Sequence, residues 1–196
     1  MQTDIHQVLI GRRRIASRIQ ALARQITADL RSSGQRAPAD DLPLTLVPIL
    51  TGSIIFVADL IRHLPLRMRL NLISVSSYPG ASTRSQGVRL RRALENLPPS
   101  LAGTHLLVLD DILDTGRTLT RVTQLLQRRQ PASLRTCVLL RKDRPTAHNF
   151  PVDYVGFDIP DAFVVGFGLD FNGHYRNLPD IVTLKPQVIA RVQRRG

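Results

Sequence analysis

The chain has 196 residues, 43% hydrophobic and only 5% aromatic, with a formal net charge of +12. That length and apolar content suit a single domain, 1–196, with a real core, and they exclude a disordered chain. No apolar run approaches the roughly 18–20 residues of a membrane span, which excludes a membrane partner on this reading.

The opening MQTDIHQVLIGRRR lacks the basic-then-apolar order of a secretion signal, so the expected compartment is the cytoplasm. Val8, Leu9 and Ile10 read as a short strand that Gly11 ends. Ile15, Ile19, Leu22, Ala23, Ile26 and Leu30 then keep one helical face apolar. Ser32 to Pro43 is rich in Ser, Gly, Pro and Asp and reads as a loop. Leu44 to Leu50 is a buried strand in which Pro48 withholds its amide from the ladder, or marks an edge. Thr51-Gly52-Ser53 turns it into a helix through Ile54, Ile55, Val57, Ala58, Leu60 and Ile61. Leu66 to Ser76 alternates as a strand. PGASTRSQG follows, an almost wholly polar loop of the kind that serves as a lid over substrate. Val88 to Leu94 returns as a strand.

Leu106 to Leu126, LLVLDDILDTGRTLTRVTQLL, is the stretch with the densest chemistry. An apolar run stops at Asp110 and Asp111, and a third carboxylate, Asp114, opens Asp-Thr-Gly-Arg-Thr. Leu119, Val122, Leu125 and Leu126 then recur at helical spacing. Gly116 allows close backbone approach, and amides at a helix N-terminus form a phosphate cradle. Thr115 and Thr118 add hydroxyls and Arg117 a positive charge. Carboxylates beside such a cradle also serve as plain helix caps. A hydroxyl-rich sugar bearing a Mg²⁺-bound pyrophosphate accounts for the whole set better, since carboxylates suit both ribose hydroxyls and hydrated Mg²⁺.

Downstream, Leu134 to Leu140 is a buried strand ending at Arg141-Lys142, and it contains Cys137, the lone cysteine, read as a core residue. Val152 to Ile159 forms a further strand stopped by Pro160. Phe163 to Gly168 is apolar and closes at Leu169-Asp170. The tail carries a turn, a last short strand and a helix over Val188 to Arg194. The alternation of strand and helix points to an α/β fold with a mainly parallel central sheet flanked by helices. The excess of Arg at 12–14, 89–92, 128–129 and 194–195 suits anionic substrates, nucleic acid or merely solvated basic faces. Few aromatics are present to stack on bases, which disfavours a nucleic-acid partner.

D-D-x-x-D-T-G-x-T after an apolar strand resembles the phosphoribosyl-diphosphate signature of the type I phosphoribosyltransferases. Three more stretches resemble the hypoxanthine-guanine branch of that family, in the expected order: ILTGSIIFVADLIRHL, VSSYPGASTRSQG and VDYVGFDIPDAFVVGFGLDFNGHYRNLP. The resemblance implies that family's fold, with a small hood from the N-terminal residues and about 150–185 and a flexible loop at about 77–88. It also implies Mg²⁺ dependence, 6-oxopurine acceptors and a homodimer or homotetramer. Carried over by position, Asp110 and Asp111 meet the ribose hydroxyls, and with Asp170 they are the metal-facing carboxylates. Thr115, Gly116, Arg117 and Thr118 hold the 5′-phosphate. Thr51, Gly52, Ser77, Tyr78 and Arg176 bind phosphoribosyl diphosphate through its pyrophosphate and the closing loop. Asp114 manages the proton at purine N7, Lys142 contacts the 6-oxo group, and Phe163 stacks on the base. Val164 and Asp170 complete the purine site.

Two positions depart from the pattern. Asp110 stands where many relatives have Glu, and Thr51 where they often have Lys, which removes a positive charge from the pyrophosphate loop. A pyrimidine-regulatory, RNA-binding relative with uracil transferase activity shares part of the central motif. Asp114 and the Lys142–Phe163–Asp170 segment argue against that alternative.

Overall fold

The computed structural model describes residues 1–32, 44–74, 94 and 97–193, the side chains of 191–193 excepted. The expected lid loop, the return strand Val88 to Leu94 up to its last residue, Ser77 and Tyr78 lie outside the described residues.

β1 (Ile5–Ile10) leads through Gly11 into α1 (Arg12–Ser32). The helical-period residues of α1 are all buried, as their spacing requires. The first amide of α1, on Arg12, donates to Asp180 Oδ1 at 2.7 Å. A carboxylate from the far end of the chain therefore satisfies a donor that the helix itself leaves open. β2 (Leu44–Leu50) is followed by α2 (Ile54–Ile61), β3 (Met68–Leu70), β4 (Ile73–Ser74), β5 (His105–Leu113) and α3 (Arg117–Gln127). The order then runs β6 (Ser133–Lys142), a one-turn helix α4 (Pro145–His148), β7 (Tyr154–Ile159), β8 (Val164–Val165), β9 (Ile181–Leu184) and α5 (Pro186–Gln193).

The main sheet has the order β3-β2-β5-β6-β7 with every pair parallel, and β4 adds to β2. α1 and α2 cover one face, where Ile15, Phe56 and Leu60 pack on Leu46, Leu107, Leu109 and Leu139. α3 and α4 cover the other, where Leu119, Val122 and Ala147 pack on Val47, Val108 and Val138. Successive strand residues thus enter opposite cores, which is why these strands read as unbroken apolar runs. A second sheet, β1-β9-β8, is antiparallel and joins the N-terminal strand to the chain's last strands. β7, which the expected hood boundary of about 150 would have included, pairs with the main sheet.

Three expectations are corrected. The central strand does not stop at Asp110: β5 continues to Leu113, because β6 offers partners as far as Leu113↔Arg141. Over its described residues, 66–74, the expected alternating strand is two short ones, and Leu70 and Leu72 are exposed. Pro48 does not mark an edge, since β2 lies inside the sheet and Pro48 is in register with Leu109. Leu46 accepts from the Asn71 amide at 2.9 Å on the β3 side, and residues two apart on a strand face the same neighbour. Pro48 therefore turns its missing amide to the break between β3 and β4, where no ladder bond is required.

Candidate active site

From β2, the chain moves outward through α2 to β3. From β5 it moves the other way, to β6 and β7. The strand order reverses between β2 and β5, and in open α/β sheets the crevice beyond the carboxyl ends at such a point is where ligands bind. Gly52 follows β2 there, after a cis Leu50–Thr51 peptide, and the Asp111 carboxylate from β5 lies directly against it. A Cβ on Gly52 would overlap Asp111 Oδ2. On its other side, the Gly52 carbonyl occupies the space a Cβ on Gly168 would need. Gly168 sits in a run of three left-handed residues, with φ of 96° at Gly166, 50° at Phe167 and 100° at Gly168. The apolar stretch Phe163 to Gly168 is thus only briefly a strand, and its end is a turn that seats one glycine on another. Gly168→Ala is expected to cost roughly 2–4 kcal/mol, from the left-handed backbone and the overlap together. Thermal unfolding should show a fall in Tm of about 5–10 °C. An unchanged Tm would mean that the two glycines do not touch in solution.

Asp110 and Asp111 lie side by side with little solvent. The Asp111 amide donates to Asp110 Oδ1 at 3.1 Å, and the Ile112 amide to Asp111 Oδ1 at 2.9 Å. Burial pushes the Asp110 carboxyl well above the usual range, and the Asp111 charge pushes it further. Burial also raises Asp111, against hydrogen bonds from Asp110 and backbone amides and the nearby Arg176 cation. Two desolvated carboxyls this close resist full ionisation until hydroxyl donors or a cation join them. Arg176 is itself held by Asp170 Oδ1 at 2.8 Å and donates to the Gly168 carbonyl at 2.6 Å, while Asp170 Oδ2 accepts from the Gly173 amide at 2.8 Å.

Gly116, at φ 72°, precedes the first turn of α3, and Thr115, Arg117 and Thr118 surround it at the mouth of the crevice. The amide end of α3 has no carboxylate in its first turn, an arrangement that favours an anion. Phe150 packs against Gly116, where an added Cβ would stand 3.2 Å from Phe150 Cβ.

On the far side of this cradle, the parallel register sets Leu113 of β5 opposite Arg141 of β6, so Asp114 and Lys142 emerge together. Lys142 Nζ is 3.8 Å from Asp114 Oδ1 and 3.4 Å from Asp161 Oδ1. The sequence reading missed two members of this group. Arg144 Nη1 donates to Asp114 Oδ1 at 2.5 Å, and its Nε donates to Asp161 Oδ2 at 2.6 Å. Arg144 caps the unforeseen helix α4, and no sequence pattern marked it. Asp161 could have been noticed as the carboxylate just past a strand end that Pro160 closes. Phe163 is 45% exposed and meets Phe171 in a T-shaped pair, ring centroids 5.2 Å apart, whereas Val164 is buried in β8.

No three His, Cys, Asp or Glu side chains converge among the described residues to hold a metal by themselves. Asp110, Asp111 and Asp170 therefore do not form a protein cage. The chemistry of buried Asp110 and half-buried Asp111, two adjacent carboxyls, fits a Mg²⁺ that would be carried on a pyrophosphate and keep most of its water, the usual mode for that ion.

The chain belongs to the phosphoribosyl transferase family, whose domain model matches residues 11–172. The branch expected from the motifs is also that of its relatives. Hypoxanthine-guanine phosphoribosyltransferase from Mycobacterium avium is 42% identical over 185 residues, 94% of this chain and 88% of the relative. Hypoxanthine phosphoribosyltransferase from Trypanosoma cruzi, solved to address how its C-terminal region affects oligomeric state and activity, matches with a TM-score of 0.84. Its identity is 38%, and 97% of each chain is covered. The enzyme of the same organism in complex with the product IMP matches at 0.79 with 36% identity, over 98% of this chain and 97% of that one.

Proposed function

We propose that this chain transfers the 5-phosphoribosyl group of phosphoribosyl diphosphate to N9 of hypoxanthine and/or guanine, a step of purine salvage that yields IMP or GMP and pyrophosphate. The observation that carries this reading is the pairing of Lys142 with Asp114 on adjacent strand ends, a few residues past Asp110 and Asp111. Lys142 donates only, so it accepts a 6-oxo group and rejects a 6-amino group. Oδ1 of Asp114 is taken by Arg144 and Lys142, and Oδ2 remains for the proton on purine N7. Phe163 stacks on the base, and Val164 offers its backbone groups.

The ribose hydroxyls donate to Asp110 and Asp111, which relieves the mutual repulsion of the pair. The α3 cradle of Thr115, Gly116, Arg117 and Thr118 takes the 5′-phosphate. Thr51, Gly52 and Arg176 face the pyrophosphate, the first two mainly through backbone groups. Asp110 or Asp111, with Asp170, would hold Mg²⁺, which when bound would supply charge neutralisation at the pyrophosphate. The protein's own contribution is to align N9 with the ribosyl carbon, to hold the Asp114 carboxyl beside N7 and to exclude water. In the described residues no helix is long and apolar enough to cross a membrane. A cytoplasmic homodimer or homotetramer accords with this reading.

Purified protein supplied with phosphoribosyl diphosphate, Mg²⁺ and a panel of nucleobases tests the assignment. Turnover is expected with hypoxanthine or guanine, and none with adenine or uracil. Adenine consumed as fast as hypoxanthine would overturn the role of Lys142. Uracil as the preferred base would restore the pyrimidine alternative.

A further inference from the structure

Arg144 belongs to none of the binding roles above, yet it makes the shortest contact to the residue on which the chemistry rests. Its guanidinium spans two carboxylates, Asp114 Oδ1 at 2.5 Å through Nη1 and Asp161 Oδ2 at 2.6 Å through Nε. Asp161 also holds Lys142 Nζ at 3.4 Å, so one carboxylate anchors both cations that touch Asp114. The backbone around Arg144 is fixed as well. Its amide donates to the Lys142 carbonyl at 2.9 Å, and its own carbonyl accepts from the Ala147 and His148 amides, each at 3.0 Å. Ala147 is fully buried in the core beneath α3. The Thr146 hydroxyl lies 3.5 Å from the Asp114 carbonyl and Phe150 packs on Gly116, so the 144–150 segment backs the whole 114–116 turn.

This arrangement divides the labour within one carboxylate. A charge-assisted bond on Oδ1 fixes the plane of the Asp114 carboxyl, while Oδ2 makes no hydrogen bond among the described residues. An unrestrained Asp at the start of a turn has two rotatable bonds, and only a small share of its rotamers directs an oxygen at a purine nitrogen. We propose that Arg144, anchored by Asp161, is a positioning residue that holds the Asp114 carboxylate in the orientation needed to meet purine N7. The inference rests on the role given to Asp114 above. It adds a residue that never touches the substrate and a carboxylate, Asp161, that ties the reader of the 6-oxo group to the holder of N7.

The test is a double-mutant cycle with steady-state kinetics in hypoxanthine, phosphoribosyl diphosphate and Mg²⁺. Arg144→Ala is expected to lower kcat/KM for hypoxanthine roughly ten- to hundred-fold through loss of orientation, with the KM for phosphoribosyl diphosphate within about twofold of wild type. Arg144→Lys should recover part of the loss, since one charged donor still reaches Oδ1. In an Asp114→Asn background, Arg144→Ala should change the rate less than about twofold, because the group it positions is gone. Thermal unfolding of each variant checks the fold, and Asp161→Asn offers a second way to release Arg144 should Arg144→Ala not fold. An equal fall in the Asp114→Asn background would overturn the proposal, and so would an unchanged or faster Arg144→Ala enzyme. An Asp114→Asn enzyme as fast as wild type would instead remove Asp114 from the chemistry, a failure of the underlying reading and visible as such.

Discussion

Asp114→Asn is expected to reduce kcat by roughly 10²–10⁴-fold, the usual contribution of a positioned acid–base group. The amide keeps the size of the side chain and can still accept from Arg144, so the turn that carries it should stand. What it loses is the negative charge beside N7 and the capacity to accept its proton. Phosphoribosyl diphosphate should still bind with near wild-type affinity, because the proposed reading gives its phosphate to the amide end of α3 and its ribose to Asp110 and Asp111. Single-turnover measurement is the proper readout, since slow product release can mask a damaged chemical step. A variant that turns over at the wild-type rate with chemistry limiting would remove Asp114 from the mechanism. One that keeps its fold but no longer binds phosphoribosyl diphosphate would make Asp114 part of the cradle.

Gly52→Ala should produce the second large effect, and of a different kind. The added methyl coincides with the Asp111 carboxylate, which is the free end of a side chain and can swing aside. The fold therefore survives better than in Gly168→Ala, where the added methyl meets the Gly52 carbonyl of the backbone. On the proposed reading, the displaced Asp111 would no longer meet the ribose hydroxyl or a pyrophosphate-borne Mg²⁺. A misplacement of about 1 Å costs on the order of 10²-fold, so kcat/KM for phosphoribosyl diphosphate should fall by about that factor. KM for hypoxanthine, measured at saturating phosphoribosyl diphosphate, should change far less. Equal losses for both substrates would mean that Gly52 supports the crevice as a whole and not Asp111 in particular.

Much of this site was legible in the chain because it depends on local order. Apolar periods marked the helices, and unbroken apolar runs marked strands covered on both faces. The run Leu106 to Leu126 placed three carboxylates and a glycine cradle between a strand and a helix, which is sufficient to indicate a phosphorylated sugar. Where the strand itself ended was not a local matter. β5 runs three residues past Asp110 because β6 supplies hydrogen-bond partners there, and no feature of LDDIL encodes the length of a neighbour.

The sequence by itself indicated a class of chemistry: side-chain type and near-neighbour spacing pointed to carboxylates and a glycine turn for a phosphorylated sugar, while a lysine for a 6-oxo group and a phenylalanine for a base were implied by the family resemblance. Tertiary structure alone decided which groups meet. Asp111 faces Gly52 because two parallel strands diverge at that point, and Gly168 covers Gly52 through a left-handed turn from the second sheet. Arg144 reaches Asp114 from 30 positions away because β6 returns the chain to the end of β5 before α4 fixes its backbone. A single hydrogen bond between distant residues depends on every intervening strand register, and a one-residue slip in any of them would send the side chain to the opposite face.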